Sequence, residues 1–453
     1  MRKRERECLF LIAFCLIFAM AVCSCKAKTA PATTAETSAP KYAGETINLL
    51  LSAGPYCESI EPIVKEFEKV YPGVTLNYDL MGRSNSDERT IIELSSGSDA
   101  HDIYYVYGES LIQFTGNDWL EPLDAYIADK SITNDALLQL DDFSEGPLEA
   151  CRYQGKLYGL PIFSATCIMY YRTDFFEQAG IAGPPKTWDE LVEACKKLKA
   201  IGVQPLGMRG AKAFGGAGWH LPMLTHSFGG TVYKDFPNDF HPTVNQPAFV
   251  EAVQFYSDLL NNYGIKGATT CNYEDIILAV QQGTVGIWID GAPLVKQYVD
   301  PDKSKSAGKI GFSVIPAGRM GVKAAQTIHL LAMGKGSKHK NLAWEFLQWA
   351  TSHDILTRLS VEGIHVAIPR TSVLNDPRYI AVNNFGDGAW AKAFSECLTG
   401  AAKDYYPLTK DFPEVSDIIT ASLSEVFTGK NAQQAMDEAN RKIDSLMKQE
   451  GYY

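Results

Sequence analysis

The clearest alternation of apolar and polar positions lies between residues 155 and 198. A run of branched and aromatic residues at 166–171 predicts a β-strand. The prolines within 180–185 end any preceding helix and keep the chain extended. From position 187 apolar residues recur at helical spacing, with lysines on the opposite face. Thr187 and Glu190 have the spacing of a capping box, in which Glu190 would accept a hydrogen bond from the amide of Thr187.

Residues 46–106 repeat a strand–helix pattern. Strands are predicted at 46–51, 74–80 and 101–106, separated by helices at 60–71 and 85–96. This order favours a mainly parallel sheet with helices on both faces. Ligands of such sheets bind beyond the carboxyl ends of the strands. The residues expected along that edge are Tyr56, Arg83, Tyr107 and Glu109.

The N-terminus has the pattern of a secretory signal. Basic residues at 2–6 precede an uncharged apolar run at 8–23, which is too short to span a bilayer comfortably. Residues 22–25 resemble a bacterial lipobox and predict a lipoprotein signal peptide over 1–24, with lipid on Cys25. Residues 25–43, poor in large apolar side chains, then form a flexible lipid-anchored tether. Ordinary signal cleavage and an uncleaved anchor are alternatives, and each also predicts an extracytoplasmic location.

Length and charge narrow the class of protein. A chain of 453 residues exceeds one ordinary core, so two lobes are expected. The formal net charge of −11 argues against nucleic acid as a partner. Outside the signal, six cysteines occur without CxxC or Cys–His spacing, so no structural metal site is expected, and their disulfide pairing stays open. These cysteines are Cys57, Cys151, Cys167, Cys195, Cys271 and Cys397.

Several short motifs occur together in a family-specific order. The segments GKLYGLP (155–161), YYRTDFFEQAGI (170–181) and PPKTWDELVEACKKL (184–198) closely resemble extracellular solute-binding protein family 1 of ABC importers, which includes maltose-binding protein. YPGVTL, HDIYYVY and DWLEPLDAYI resemble the first lobe of the same family. The resemblance covers nearly all of residues 44–450.

The resemblance implies an α/β fold of periplasmic-binding-protein type II, with two α/β lobes joined by hinge crossings and a ligand cleft between them. Lobe 1 would comprise 44–153 and 325–376, and lobe 2 would comprise 154–324 and 377–453. The implied function is capture of a sugar or oligosaccharide by lobe closure and delivery to the permease subunits of an ABC importer. A monomer without a cofactor or enzymatic activity is expected.

Aromatic side chains in glycine-rich loops favour a carbohydrate ligand, since sugar C–H faces pack on aromatic rings while hydroxyls need polar partners. The stacking candidates are Tyr56, Tyr107, Trp219, Trp288, Trp390 and Tyr406. The candidates for hydroxyl contacts are Arg83, Glu109, Asp290 and Arg319. Core packing is the alternative for each tryptophan, and it is favoured for Trp288, which lies inside an apolar strand. Solvated loop charges are the alternative for the two arginines.

Other functions remain as hypotheses. The chain lacks the GxSxG, HExxH and GxxxxGK[ST] motifs. A secreted glycoside hydrolase would need only two carboxylates across a cleft. A polyamine binder of the same fold would use Glu58, Glu109 and Asp290, and a sensory ligand-presenting protein would need no permease. The pairs Tyr170–Tyr171 and Tyr405–Tyr406 could in principle bind ferric iron, but the scattered histidines argue against it.

Overall fold

The computed structural model describes residues 40–400 and 405–453. The predicted signal peptide, Cys25 and residues 25–39 of the predicted tether lie outside the described residues. Residues 40–43 form a turn against the folded body, where Lys41 pairs with Glu345 and the ring of Tyr42 lies 5.7 Å from that of Tyr71. Among the described residues, no helix has the length and apolar character needed to cross a membrane.

Strands and helices alternate along the described chain. The strands are β1 Thr46–Ser52, β2 Thr75–Met81, β3 Ile103–Tyr107, β4 Arg152–Tyr153, β5 Lys156–Leu157, β6 Gly159–Arg172, β7 Gln204–Gly207, β8 Tyr233–Asp235, β9 Asp239–Pro242, β10 Val285–Gly291, β11 Ile310–Ser313 and β12 Gln326–Met333. The helices are α1 Pro55–Ile60, α2 Phe67–Val70, α3 Arg83–Ser95, α4 Gly108–Gly116, α5 Asp124–Ala128, α6 Asp135–Leu138, α7 Glu145–Glu149, α8 Thr173–Gln178, α9 Trp188–Ala200, α10 Ala217–Phe228, α11 Pro247–Tyr263, α12 Tyr273–Gln281, α13 Val295–Val299, α14 Lys340–Ala350, α15 His353–Val361, α16 Thr371–Leu374, α17 Pro377–Val382, α18 Ala389–Thr399, α19 Phe412–Phe427 and α20 Ala432–Gln449.

The main sheet has eight strands, in the order β2-β1-β3-β12-β6-β10-β7, with β11 also paired to β6. Strands β2, β1 and β3 run parallel, as the strand–helix pattern predicts. The single helix predicted over 60–71 is wrong, because the chain there forms α1, a 3-10 turn and α2. Pro62 explains the break, since its ring removes a backbone donor and clashes with the preceding turn of a helix.

Strand β6 runs through both halves of the sheet. Its first half pairs with β12, with Ala165 opposite Thr327, and its second half pairs with β10, with Tyr170 opposite Trp288. The buried apolar residues form two clusters on either side of this crossing. The part of the chain whose core consists of residues within 47–165 and 328–379 is called the first lobe. The part whose core consists mainly of residues within 167–325 and 390–447 is called the second lobe. The lobe boundaries that the sequence suggested stay predictions.

The start of α9 differs in one hydrogen bond from the predicted capping box. The Thr187 hydroxyl accepts from the amide of Glu190 at 3.2 Å, as expected. The Glu190 carboxylate accepts from the amide of Lys186 at 2.7 Å, one residue before the predicted partner. The first bond satisfies an amide that the first turn of the helix leaves unpaired, and the second fixes the residue before the cap.

The six cysteines of the described chain are all buried thiols without a disulfide. Burial raises the pKa of each thiol, for Cys195 to about 12 and for Cys271 to about 11. Neutral thiols of this kind pack as small apolar side chains. The disulfides that an extracytoplasmic location permits are therefore not formed between these residues.

Lys296 connects the two lobes beside the sheet. It belongs to α13 of the second lobe, and its ammonium donates hydrogen bonds to the carbonyls of Ser360 and, at 2.9 Å, Gly363 in the first lobe. Burial lowers the pKa of Lys296 from 10.5 to about 8, because the charged amine loses hydration.

This lowered pKa makes stability depend on pH. Between pH 8 and 10.5 the unfolded chain holds a proton on Lys296 that the folded protein has lost, so the free energy of unfolding should rise with pH across that window. We expect Lys296→Met to remove this rise, measured by urea denaturation at intervals from pH 7 to pH 10.5. Lys196→Met is the control, because Lys196 is exposed. Equal pH profiles for the wild type and Lys296→Met would contradict the assignment.

Candidate functional site

A cavity of about 120 Å³ lies between the two lobes. The first lobe contributes the loop after β1, the start of α3 and the end of β3, so this wall lies at the carboxyl ends of parallel strands. The second lobe contributes Arg209 after β7, Trp219 of α10 and the turn at the end of β10. We call this space the central cavity.

The first-lobe wall is organised around Arg83. Its guanidinium donates to the Glu109 carboxylate at 2.5 Å and lies 3.9 Å from the centre of the Tyr107 ring. A longer ion pair of 3.5 Å joins it to Asp87, one helical turn later. The Tyr107 hydroxyl is itself held by Ser52 at 2.7 Å. Burial alone would lower the pKa of Arg83, but Glu109, Tyr107 and Asp87 together raise it above its usual range, so the side chain is a fixed cation.

The second-lobe wall repeats this combination with Arg209. Its guanidinium forms a two-pronged pair with Asp290, one bond being 3.2 Å long, and lies 4.3 Å from the centre of the Trp219 ring. It also donates to the Gly215 carbonyl at 2.7 Å. Asp290 is fully buried, and its Oδ1, which accepts from Arg209, also accepts from the amide of Gly291 at 2.6 Å. Arg209 is therefore the group that neutralises a carboxylate inside the second lobe.

His329 of β12 forms the base of the central cavity. Its ring stacks on Phe163 at 4.5 Å and contacts the Tyr105 hydroxyl at 2.5 Å and Thr327 at 3.2 Å. Burial, followed by the positive charge of Arg83, holds the pKa of His329 well below its usual range. The imidazole is therefore neutral and adds polar surface without charge.

The carboxylates of the site differ in how they are neutralised. Glu109 and Asp290 are each committed to an arginine. Glu58, at the exposed rim, makes no ion pair with any described residue, and burial against the cavity raises its pKa while Lys303 opposes the shift. The interior thus offers hydrogen-bond donors and aromatic faces with balanced charge.

The structure brings together five of the residues that the sequence suggested. Arg83, Tyr107, Glu109 and Trp219 line the central cavity, and Asp290 lies directly behind Arg209. Tyr406 lies outside this lining, in a neighbouring interlobe groove.

The other four suggested residues lie away from the central cavity. Tyr56 donates to the Ala350 carbonyl at 3.2 Å within the first-lobe core. Trp288 stacks on Tyr170 at 5.3 Å, and Trp390 donates to the Ala292 carbonyl at 3.1 Å, both inside the second lobe. Arg319 lies on the surface, paired with Glu251 at 2.7 Å.

Sequence reasoning missed Arg209, Tyr273 and His329 as lining residues. Arg209 follows a short strand by two residues, so the strand-end rule used for the first lobe would have found it in the second. No comparable local signal marks His329, whose position depends on β12 pairing between β3 and β6. Within residues 40–400 and 405–453, no group of three or more His, Cys, Asp or Glu side chains is placed to hold a metal ion.

A sequence model of the family described as "Bacterial extracellular solute-binding protein" matches residues 58–355. The chain belongs to this family. It is 25% identical over 423 residues to the erythritol/L-threitol-binding protein of Mycolicibacterium smegmatis, covering 90% of this chain and 86% of the relative. It is 26% identical over 301 residues to the mannitol-binding protein of Pseudomonas aeruginosa, covering 65% and 66% of the two chains.

Solved structures of solute-binding proteins share the fold. A maltose-bound MalE3 from T. maritima superposes with a TM-score of 0.78 at 22% identity, covering 89% of this chain and all of that one. A solute-binding protein from Agrobacterium vitis S4 with bound D-mannitol gives a TM-score of 0.79 at 24% identity, covering 90% and 99%. The predicted two-lobed α/β fold of periplasmic-binding-protein type II is therefore confirmed.

Proposed function

We propose that the protein captures a neutral sugar or polyol outside the cytoplasmic membrane and delivers it to the permease subunits of an ABC importer. The observation that carries the proposal is the pair of matching walls in the central cavity. Each lobe presents an arginine that pairs with a carboxylate and lies over an aromatic ring. Arg83 does so with Glu109 and Tyr107 in the first lobe, and Arg209 does so with the buried Asp290 and with Trp219 in the second. Sugars and polyols need both kinds of surface, donors and acceptors for hydroxyls and flat faces for C–H groups.

The charge balance favours a neutral ligand. A polyamine would need free carboxylates, but the arginines already engage Glu109 and Asp290, which leaves only Glu58 at the rim. Displacing either arginine would leave a buried charge unpaired, at a cost of several kcal/mol. The names of two relatives, which bind erythritol, L-threitol and mannitol, support the same ligand class.

Lobe closure supplies the transport signal. A ligand held by both walls binds the closed form more tightly than the open form, so it shifts the population towards closure. The guanidinium of Arg83 already lies 6.0 Å from the ring of Phe214 in the second lobe, which places the two walls within reach of one small solute. We further propose that a monomer acts near the membrane through lipid on Cys25 and residues 25–39 of the predicted tether. The ligand leaves chemically unchanged, without catalysis or a cofactor.

A thermal-shift screen of the mature protein tests this function. We expect erythritol, mannitol, glucose or maltose to raise the melting temperature in a concentration-dependent way, since a ligand that binds only the folded state stabilises it. Putrescine and spermidine should have no effect. Stabilisation by the polyamines alone would overturn the proposal, and release of products from a glycan would favour the hydrolase alternative.

A further inference from the structure

A larger groove adjoins the central cavity between the same two lobes. It has a volume of about 390 Å³ and shares Glu109 and Thr327 with the central cavity. We call it the adjoining groove. On the first-lobe side it is lined by Ile112 and Ala150, and on the second-lobe side by Tyr405 and Tyr406. A solute in the central cavity that extends past Glu109 therefore enters a space that both lobes contact.

Tyr406 provides a second, independent observation in this groove. Its hydroxyl oxygen is shielded from solvent and has no hydrogen-bond partner among the described residues. Its ring packs against Phe214 at 4.6 Å and Phe412 at 5.8 Å, which fixes its direction. Burial raises the pKa of Tyr406 well above its usual range, with Glu109 adding to the rise and Arg83 and Arg209 opposing it, and the residue lines the adjoining groove. A buried unpaired hydroxyl is costly, and a ligand hydroxyl would supply the missing partner.

The neighbouring Tyr405 is held differently. Its hydroxyl donates to the Trp219 carbonyl and accepts from the amide of Met223 at 3.2 Å. Its hydrogen bonds are satisfied inside the second lobe, so it forms a rigid support for the groove. Tyr406 is the tyrosine of the pair whose bonding capacity is left for a ligand.

The volumes indicate how a ligand would divide between the two spaces. An apolar cavity of about 150 Å³ takes up a single benzene ring, so the central cavity, about 120 Å³, corresponds to one small unit. The adjoining groove combines apolar side chains such as Ile112 and Leu408 with the polar groups of Glu109 and Tyr406. That mixture suits a second sugar ring, which has an apolar face and a hydroxyl-bearing edge.

We propose that the ligand consists of two linked units, with one in the central cavity and a second sugar ring in the adjoining groove, hydrogen-bonded to Tyr406. This inference rests on the proposed function, and it narrows the ligand class to disaccharides and glycosylated polyols. The two arginines of the central cavity would distinguish ligands by the arrangement of their hydroxyl groups. The adjoining groove would distinguish ligands by their length.

Calorimetric titration of the mature protein with matched probes tests the inference. The one-unit probes are erythritol, mannitol and glucose, and the two-unit probes are maltose, cellobiose and maltitol. We expect the best two-unit probe to bind at least about tenfold more tightly than the best one-unit probe. In Tyr406→Phe this ratio should fall about fivefold, because one hydrogen bond to the second unit is lost. Tyr453→Phe, at the exposed C-terminus, should leave the ratio unchanged.

A blocking variant provides a second measurement. Ala150 is exposed at the end of α7 and lines only the groove, so Ala150→Trp should fill the groove without disturbing the core. We expect it to weaken the two-unit probes at least about tenfold relative to the one-unit probes. Equal affinities for both probe classes in the wild type, or an unchanged ratio in Ala150→Trp, would overturn the inference. If no probe of either class binds, the proposed function itself fails.

Discussion

Replacing Arg209 by methionine is expected to lower the free energy of unfolding by about 3–5 kcal/mol, and to abolish solute binding. Asp290 is fully buried, and its carboxylate depends on Arg209 for neutralisation. Removing the guanidinium leaves that charge in a low-dielectric interior, which costs far more than an exposed pair would. It also removes the cation that lies over Trp219 in the central cavity. Urea denaturation and calorimetric titration measure the two effects separately.

A double variant separates stability from binding. In Arg209→Met with Asp290→Leu no buried charge remains unpaired, so most of the lost stability should return. Solute binding should not return, because the polar wall of the second lobe is gone. Arg319→Met is the matched control: Arg319 pairs with Glu251 at the surface, and its loss should change the free energy of unfolding by less than about 1 kcal/mol. Full stability of Arg209→Met alone would refute the assignment.

Only some of the site residues could be predicted from their position at the carboxyl end of a strand. Arg83, Tyr107 and Glu109 could be predicted because they follow a recognisable β-α-β-α-β pattern, in which the carboxyl ends of parallel strands share one edge. Tyr56 follows the first strand too, but Pro55 starts α1 there, and the tyrosine reaches into the core to bond Ala350. A local pattern therefore located the edge of the sheet, but not the direction of each side chain.

The second lobe was harder to predict for a physical reason. Strand β10 is buried along its whole length, so its apolar run gives no alternation that separates a cavity side from a core side. Trp288 and Asp290 are both buried on this strand, one stacked on Tyr170 and the other paired with Arg209. The pairing partner is 81 residues away in the chain, and only the register of the sheet brings the two together. The family motifs were enough to predict the fold class, but they did not predict which residues form the second-lobe wall of the central cavity.

Strand β6 supports both walls of the central cavity. This one continuous strand pairs with β12 in its first half and with β10 in its second half. Phe163, in the first half, supports His329 at the base of the cavity, while Tyr170, in the second half, packs against the strand that carries Asp290. In the proposed closure of the lobes, the two polar walls would therefore meet already assembled.

Arg83→Met is expected to weaken solute binding about 100-fold at neutral pH. The arginine is the cation shared by Glu109 and Asp87, and it lies over the Tyr107 ring. Burial already raises the pKa of Asp87 to about 6, and Arg83 opposes that rise. Without the arginine, the carboxylates of Glu109 and of the partly exposed Asp87 lose the cation that they share, so the closed form is penalised.

The same argument gives the variant a steeper pH dependence than the wild type, in which the pKa of Asp87 is already raised to about 6. In Arg83→Met the cation that opposes the raised pKa of Asp87 is gone, so closure should take up a proton on Asp87 and affinity should rise as pH falls from 7 to 5. Calorimetric titration across this range, with X-ray scattering to follow closure, measures both quantities. Arg83→Lys keeps the charge but loses the planar contact with Tyr107, so it should bind with intermediate affinity and with the pH profile of the wild type. A pH profile for Arg83→Met no steeper than that of the wild type would show that Asp87 does not oppose closure.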